Sequence, residues 1–150
     1  MYSGSVSDCY NTGQVSYKYK HYSCGSFNFY IGGVAGYMNG NVSDCYNIGE
    51  VSSFSDIYVY SCPYTDGVVG AVPGSMSNCY NTGEVSSSDH FYSSEDGGVA
   101  GGVYISGSVS SCCYIMDNTI SAKKAIGEGK VGENVVGLTM EQMTGSDALK

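Results

Sequence analysis

One phrase, repeated four times, limits what this chain can fold into. It reads Gly4-Ser-Val-Ser-Asp-Cys9-Tyr-Asn-Thr-Gly13-Gln-Val-Ser16, then Gly40-Asn-Val-Ser-Asp-Cys45-Tyr-Asn-Ile-Gly49-Glu-Val-Ser52, then Gly74-Ser-Met-Ser-Asn-Cys79-Tyr-Asn-Thr-Gly83-Glu-Val-Ser86. A degenerate fourth copy is Gly107-Ser-Val-Ser-Ser-Cys112-Cys-Tyr-Ile-Met-Asp-Asn-Thr119. The leading glycines lie 36, 34 and 33 residues apart. Self-similarity at such a period marks a chain built from stacked units, each burying its apolar face against the next.

Within the phrase, Val6 and Cys9 are three residues apart, so the alternation of a single strand cannot turn both inward. A corner at Ser7-Asp8 between two short strands resolves the conflict. Asn-Thr-Gly or Asn-Ile-Gly at 11–13, 47–49 and 81–83 reads as a tight turn that uses left-handed backbone. The valine of Gly-x-Val (15, 51, 85) opens the next strand. A stretch variable in sequence and length follows, and then a small-residue strand: Ile31-Gly-Gly-Val-Ala-Gly36, Gly67-Val-Val-Gly70 or Gly97-Gly-Val-Ala-Gly101. Three strands and three corners per repeat, without helical periodicity, predict an all-β fold. Its form would be a parallel β-solenoid (β-helix) of about four coils, stacked at the ~4.8 Å strand spacing.

Stacking sets equal positions above one another. Cys9, Cys45, Cys79 and Cys112 then form an internal thiol column, and Asn11, Asn47 and Asn81 an amide ladder at a corner. Tyr10, Tyr46 and Tyr80 line the outside; Val6, Val42, Met76 and Val109 fill the inside. Residues 1–114 hold the repeats, with units near 4–36, 40–70, 74–101 and 107–119. From 115 to 150 the pattern decays into an irregular extension, and Thr139-Met-Glu-Gln142 has the spacing of a capping box, predicting a short helix in a terminal cap. The first unit lacks the glycine-rich strand that precedes the others, so the chain reads as an excerpt of a larger protein.

Charge narrows the partners. Six lysines, no arginine and fourteen acids give a net charge of −8, which lacks the cationic face that nucleic acid requires. Anionic membrane surfaces are disfavoured for the same reason, and no apolar run is long enough to span a bilayer.

Seven cysteines exclude a complete disulfide framework within one chain. The column cysteines read as small buried hydrophobes. Cys24 and Cys62 lie 15 and 17 residues beyond their column partners, in equivalent loops, and stand as either a disulfide or two thiols. No Cys-x-x-Cys pair exists, so no metal centre is expected. Asp8 over Asp44, and Glu50 over Glu84, would either face water or share a hard cation such as Ca²⁺; solvated faces fit better, since Asn78 and Ser111 break the pattern. With His21 and His90 unmatched by repeat position, and no nucleophile elbow or phosphate loop, no catalytic residue and no cofactor is expected.

The variable stretches carry the functional signal. They hold Tyr17, Tyr19, Tyr22, Phe27, Phe29 and Tyr30, then Phe54, Tyr58, Tyr60 and Tyr64, then Phe91 and Tyr92, all at one phase of the repeat. Insertions at one phase gather on one flank, where they build a binding face. Tyr17, Tyr19, Tyr22, Tyr58, Tyr60, Tyr64, Phe91 and Tyr92 are the candidate contacts for a host or microbial surface glycan or protein. The alternative is that these rings only shield the flank.

The recurring Gly-x-Val-Ser-x-Cys-Tyr-Asn-Thr-Gly-x-Val-Ser, alternating with Gly-Gly-Val-Ala-Gly, resembles the GLUG-motif repeats of large bacterial surface proteins. The likeness covers Gly4 to about Tyr114. It implies a right-handed β-helix within a secreted or wall-attached, adhesin-like protein, with no catalytic residues to carry over. Departures are the absent first Gly-Gly strand, Pro73 in the third copy, and Cys113 where the other copies have Tyr. The expected role is a non-catalytic adhesion or spacer module at the cell surface. A carbohydrate-active β-helix enzyme and a purely structural stalk are the alternatives.

Overall fold

The structure, a computed structural model, describes residues 4–19, 28–55, 63–88, 96–104, 106–116 and 124–144. Its first repeat contributes β1 (Gly4–Ser7), β2 (Tyr10–Asn11), β3 (Val15–Tyr19), β4 (Phe29–Gly32) and β5 (Ala35–Tyr37). The second contributes β6 (Gly40–Ser43), β7 (Tyr46–Asn47), β8 (Val51–Ser55), β9 (Pro63–Asp66) and β10 (Val69–Val72). Then come β11 (Ser75–Ser77), β12 (Tyr80–Asn81), β13 (Val85–Ser87) and β14 (Ala100–Val103). Last are β15 (Ser108–Ser110), β16 (Cys112–Ile115), β17 (Ile126–Glu128), β18 (Val135–Leu138) and the helix α1 (Met140–Thr144).

The fold is all-β and its strands pair in parallel, each with the strand at the same phase of the neighbouring repeat. The sheets run β1-β6-β11-β15, β17-β14-β10-β5, β18-β16-β12-β7-β2, β13-β8-β3 and β4-β9. Register follows the phrase: Gly4 pairs with Gly40, Val6 with Val42, and Met76 with Val42 and Val109. The repeat therefore dictates pairing residue by residue.

The corner sits where parity demands it. Asp8, Asp44, Asn78 and Ser111 have φ of 54°, 54°, 54° and 51°, in the left-handed region that Asn and Asp tolerate best. Asn134, with φ 57°, repeats the corner where the phrase is no longer recognisable. There β18 pairs with β16, and β17 with β14, so the ladders run on past Tyr114 before α1. The capping box forms as expected: Gln142 N–H donates to Thr139 Oγ1 at 3.2 Å, and Thr139 N–H to Gln142 Oε1 at 2.9 Å.

The first two repeats have five strands where the sequence suggested three. The chain turns at Gly33-Val34 and again at Gly67-Val68, splitting the small-residue strand in two. Glycine is required there, because a Cβ on Gly33 or Gly67 would overlap the side-chain amide of Asn47 or Asn81. The turn valines Val68 and Val99 are fully buried and join Val42, Met76 and Val109 in one core. Each such side chain contributes roughly 1.5–3 kcal/mol by leaving water.

The columns form, with one correction. Cys45, Cys79 and Cys112 are buried, but Cys9 is exposed, because it lies on the outermost described layer. All four thiols donate to the carbonyl two residues earlier, at 3.0–3.2 Å. Tyr46 stacks on Tyr10 at 5.2 Å and on Tyr80 at 4.8 Å, with Tyr10 64 % exposed, so this column faces out. Asp8, Asp44, Glu50 and Glu84 are exposed, and the Asn78 amide donates to Asp44 Oδ1 at 3.3 Å.

Candidate functional site

The aromatic flank assembles from strands far apart in sequence. Parallel pairing of β4 with β9 sets Tyr30 beside Tyr64, and their rings stack at 5.2 Å. Tyr37, at the end of β5, tilts against Tyr30 at 5.4 Å. Just after β14, the Tyr104 hydroxyl lies 2.6 Å from the Tyr30 hydroxyl. Tyr64 donates its phenol to Glu128 Oε2, at the end of β17, at 2.8 Å. Four phenols and one carboxylate thus share a network drawn from four strands and the segment after β14. Packing and mutual hydrogen bonds hold the rings in place.

Small residues leave room for those rings. A Cβ on Gly102 would come 3.2 Å from Tyr64 Cε1, tighter than ordinary contact. Burial and then the Glu128 carboxylate push the Tyr64 phenol well above its usual range. Burial and then the Tyr30 hydroxyl do the same for Tyr104. The Tyr64 and Tyr104 phenols accordingly stay neutral and able to donate at any physiological pH.

Two rings face outward, Tyr37 at 53 % and Tyr104 at 36 % exposure. Tyr104 borders an open cleft of about 370 Å³ whose walls include Val103, Gly107, Gly129 and Lys130. Gly129 has φ 117°, and a Cβ there would overlap the Val103 carbonyl, so the cleft needs a glycine at that wall. The cleft combines the Tyr104 ring with the Lys130 side chain.

Of the aromatic residues singled out from sequence, Tyr17 lies against Phe29 at 5.5 Å. Beside it Lys18 Nζ stands 4.7 Å over the Phe54 ring. Tyr64 is only 5 % exposed, so it supports the cluster and offers no contact face of its own. The Tyr19 side chain, Tyr22, Tyr58, Tyr60, Phe91, Tyr92, Cys24 and Cys62 lie outside the described residues. Tyr37 and Tyr104 were missed because they follow the small-residue strand, outside the variable stretch.

A polar pocket at the base of the variable stretches was also missed. Ser53 and Thr65 are buried and share a hydrogen bond of 2.7 Å; one layer on, Ser87 donates to Asp96 Oδ2 at 2.5 Å. Asp66 is fully buried; its Oδ1 accepts the Gly97 N–H at 2.5 Å, while its Oδ2 has no hydrogen-bond partner among the described residues. The signal was present in the alignment of repeats, since Asp66 stands in register with Gly32 and Gly97. Among the described residues, no group of three or more His, Cys, Asp or Glu side chains gathers to hold a metal ion, and no helix is long and apolar enough to cross a membrane.

Comparison of the chain with protein-family models, with curated proteins and with solved structures returns no match.

Proposed function

We propose that this chain is a non-catalytic binding segment of a bacterial surface protein, built as a right-handed parallel β-solenoid, and that its aromatic flank holds a surface glycan. Parallel pairing at a one-repeat offset in every sheet supports the solenoid, and the strong right-handed preference of parallel crossovers supports its hand. Likeness to GLUG-motif repeats supports the surface location and a larger parent protein.

One observation carries the binding role: Tyr37 and Tyr104 stay exposed while Tyr30 and Tyr64 hold them rigid beside the Lys130 cleft. A pyranose lays its C–H face on a tyrosine ring and its hydroxyls against phenol, carboxylate and ammonium groups. Pre-fixed rings reduce the ordering cost of binding. A host protein surface would use the same tyrosines.

The test is a glycan and matrix-protein array with the wild type and the Tyr37→Ala/Tyr104→Ala double variant, alongside melting curves for both. Selective binding that drops at least tenfold in the variant, with melting retained, supports the reading. Silence across the array would leave a structural spacer, the reading that the three-layer Asn and Tyr columns favour.

A further inference from the structure

We propose that Asp66 stands in the fold as a neutral carboxylic acid and serves as a pH-sensitive latch for the aromatic flank: loss of its proton loosens β9 and, with it, the tyrosine cluster. The latch rests on the flank being the working surface.

Geometry leaves a charge at Asp66 with almost nothing to compensate it. The side chain has no exposure, and among the described residues a single backbone N–H serves Oδ1 and nothing donates to Oδ2. The neighbouring strands bring glycines, not cations: Gly32 from β4, Gly70 from β10 and Gly101 from β14. A Cβ on Gly101 would overlap Asp66 Oδ2 and lie 2.5 Å from the Gly70 carbonyl oxygen, so an acceptor borders the same space. A proton on Oδ2 can be offered toward that acceptor, whereas a charge on Oδ2 faces an oxygen and no donor among the described residues. The charged group facing the site is Asp96, a second acid beside the Gly97 donor. In the next layer Lys124 directs its ammonium to the Gly127 carbonyl at 3.4 Å.

Burial, with Asp96 adding to it and the Gly97 N–H opposing, raises the Asp66 carboxyl well above the usual carboxylate range. The sign follows. With a raised value in the fold, the native state binds more protons than the unfolded chain, which ionises near pH ~4. The stabilisation is therefore complete in acid and is lost as pH rises from about 4 toward the folded value.

The latch touches the binding flank directly. Asp66 lies two residues beyond Tyr64 on β9, and its carboxyl presses on β14, which leads into Tyr104. Loosening β9 removes the ring that stacks on Tyr30 and the phenol that holds Glu128.

The experiment compares wild type with Asp66→Asn in urea unfolding from pH 4 to 9, with infrared spectra and amide hydrogen exchange of residues 63–66. Asn keeps the acceptor for Gly97 and supplies a donor for Oδ2's place. Relative to Asp66→Asn, the folded-to-unfolded ratio of wild type should fall by up to about tenfold per pH unit as pH rises from about 4 toward the folded value, and level off beyond it. A protonated-acid C=O band should be present at pH 7 in wild type and missing in the variant. Exchange at 63–66, corrected for intrinsic rates, should quicken with pH only in wild type.

Equal pH slopes, or no such band, overturn the latch. So does stabilisation by Ca²⁺ at pH 8 that disappears with Asp66→Asn, because a cation would then hold the charge. None of these readouts needs a ligand. A silent glycan array with pH-dependent exchange ends the binding role and leaves the latch standing, while glycan binding with pH-independent exchange does the reverse.

Discussion

Asn47 donates its side-chain amide to Asn81 Oδ1 at 2.8 Å, and neither side chain is more than 1 % exposed. The same amide also donates to the Gly49 carbonyl at 2.7 Å, while Asn47 Oδ1 accepts the Asn11 amide at 2.8 Å. One buried residue therefore bonds its own turn and both neighbouring repeats. Asn47→Ala should destabilise the protein by about 2–4 kcal/mol in urea unfolding, because removing it strands buried donors and acceptors. Asn11→Ala, at the half-exposed end of the ladder, should cost about 1 kcal/mol. Equal losses at the two positions would show that the ladder contributes no more inside than at its rim.

Glycine at position 67 answers to that ladder. A Cβ there would overlap both the Asn81 amide carbon and the Gly98 carbonyl oxygen, and backbone cannot step aside. Gly67→Ala should lower stability by about 2–3 kcal/mol or prevent folding. Gly4→Ala meets only the flexible end of Met38, at 3.8 Å, and should leave the melting temperature within a degree or two. A neutral Gly67→Ala would refute the close approach of turn and ladder.

Much of this fold was legible because the repeat writes its own register. Once the phrase is aligned, the pairing of Val6, Val42, Met76 and Val109 follows, and the parity conflict between Val6 and Cys9 locates the left-handed corner at Asp8. The capping box at Thr139 is local chemistry and was equally plain. The pairing of β17 and β18 is carried by the backbone, which any residue can supply, so no motif announces it. The aromatic flank was half legible: the excess of tyrosine was visible, but a contact such as Tyr30 with Tyr104 spans 74 residues and two phases of the repeat. Asp66 shows the converse, a residue conspicuous only against the glycines it replaces.

Thiol chemistry separates the column from its ends. Cys9 is exposed and Cys113 half-buried, while Cys45, Cys79 and Cys112 are sealed in the core. Burial pushes the Cys45 thiol up, and the hydrogen bond shared with Cys112, then burial, pushes Cys79 up, so little thiolate forms at either. Among the five described cysteines, maleimide at pH 7.5, followed by peptide mass spectrometry, should label Cys9 first and Cys113 more slowly. Cys45, Cys79 and Cys112 should be labelled only on unfolding. Prompt labelling of Cys79 in the folded protein would remove it from the interior.

Val51 and Val15 occupy one position of the repeat and pair with each other, yet their surroundings differ. Val51 has no exposure, lies between β3 and β13, and its N–H bonds the Glu84 carbonyl at 2.8 Å. Val15 is half-buried on the outermost described layer. A carboxylate at 51 is cut off from water, so Val51→Asp should cost about 4 kcal/mol or more and unfold the neighbouring repeats. At 15 the same carboxylate can turn outward, and Val15→Asp should cost about 1–2 kcal/mol, mostly lost apolar burial. Because the Val51→Asp penalty is the price of ionisation, acidifying toward pH 4 should recover part of it by neutralising the new acid. Urea midpoints for both variants at pH 7 and pH 4 check the argument. If Val51→Asp were no worse than Val15→Asp at pH 7, or gained nothing in acid, Val51 would not face the interior.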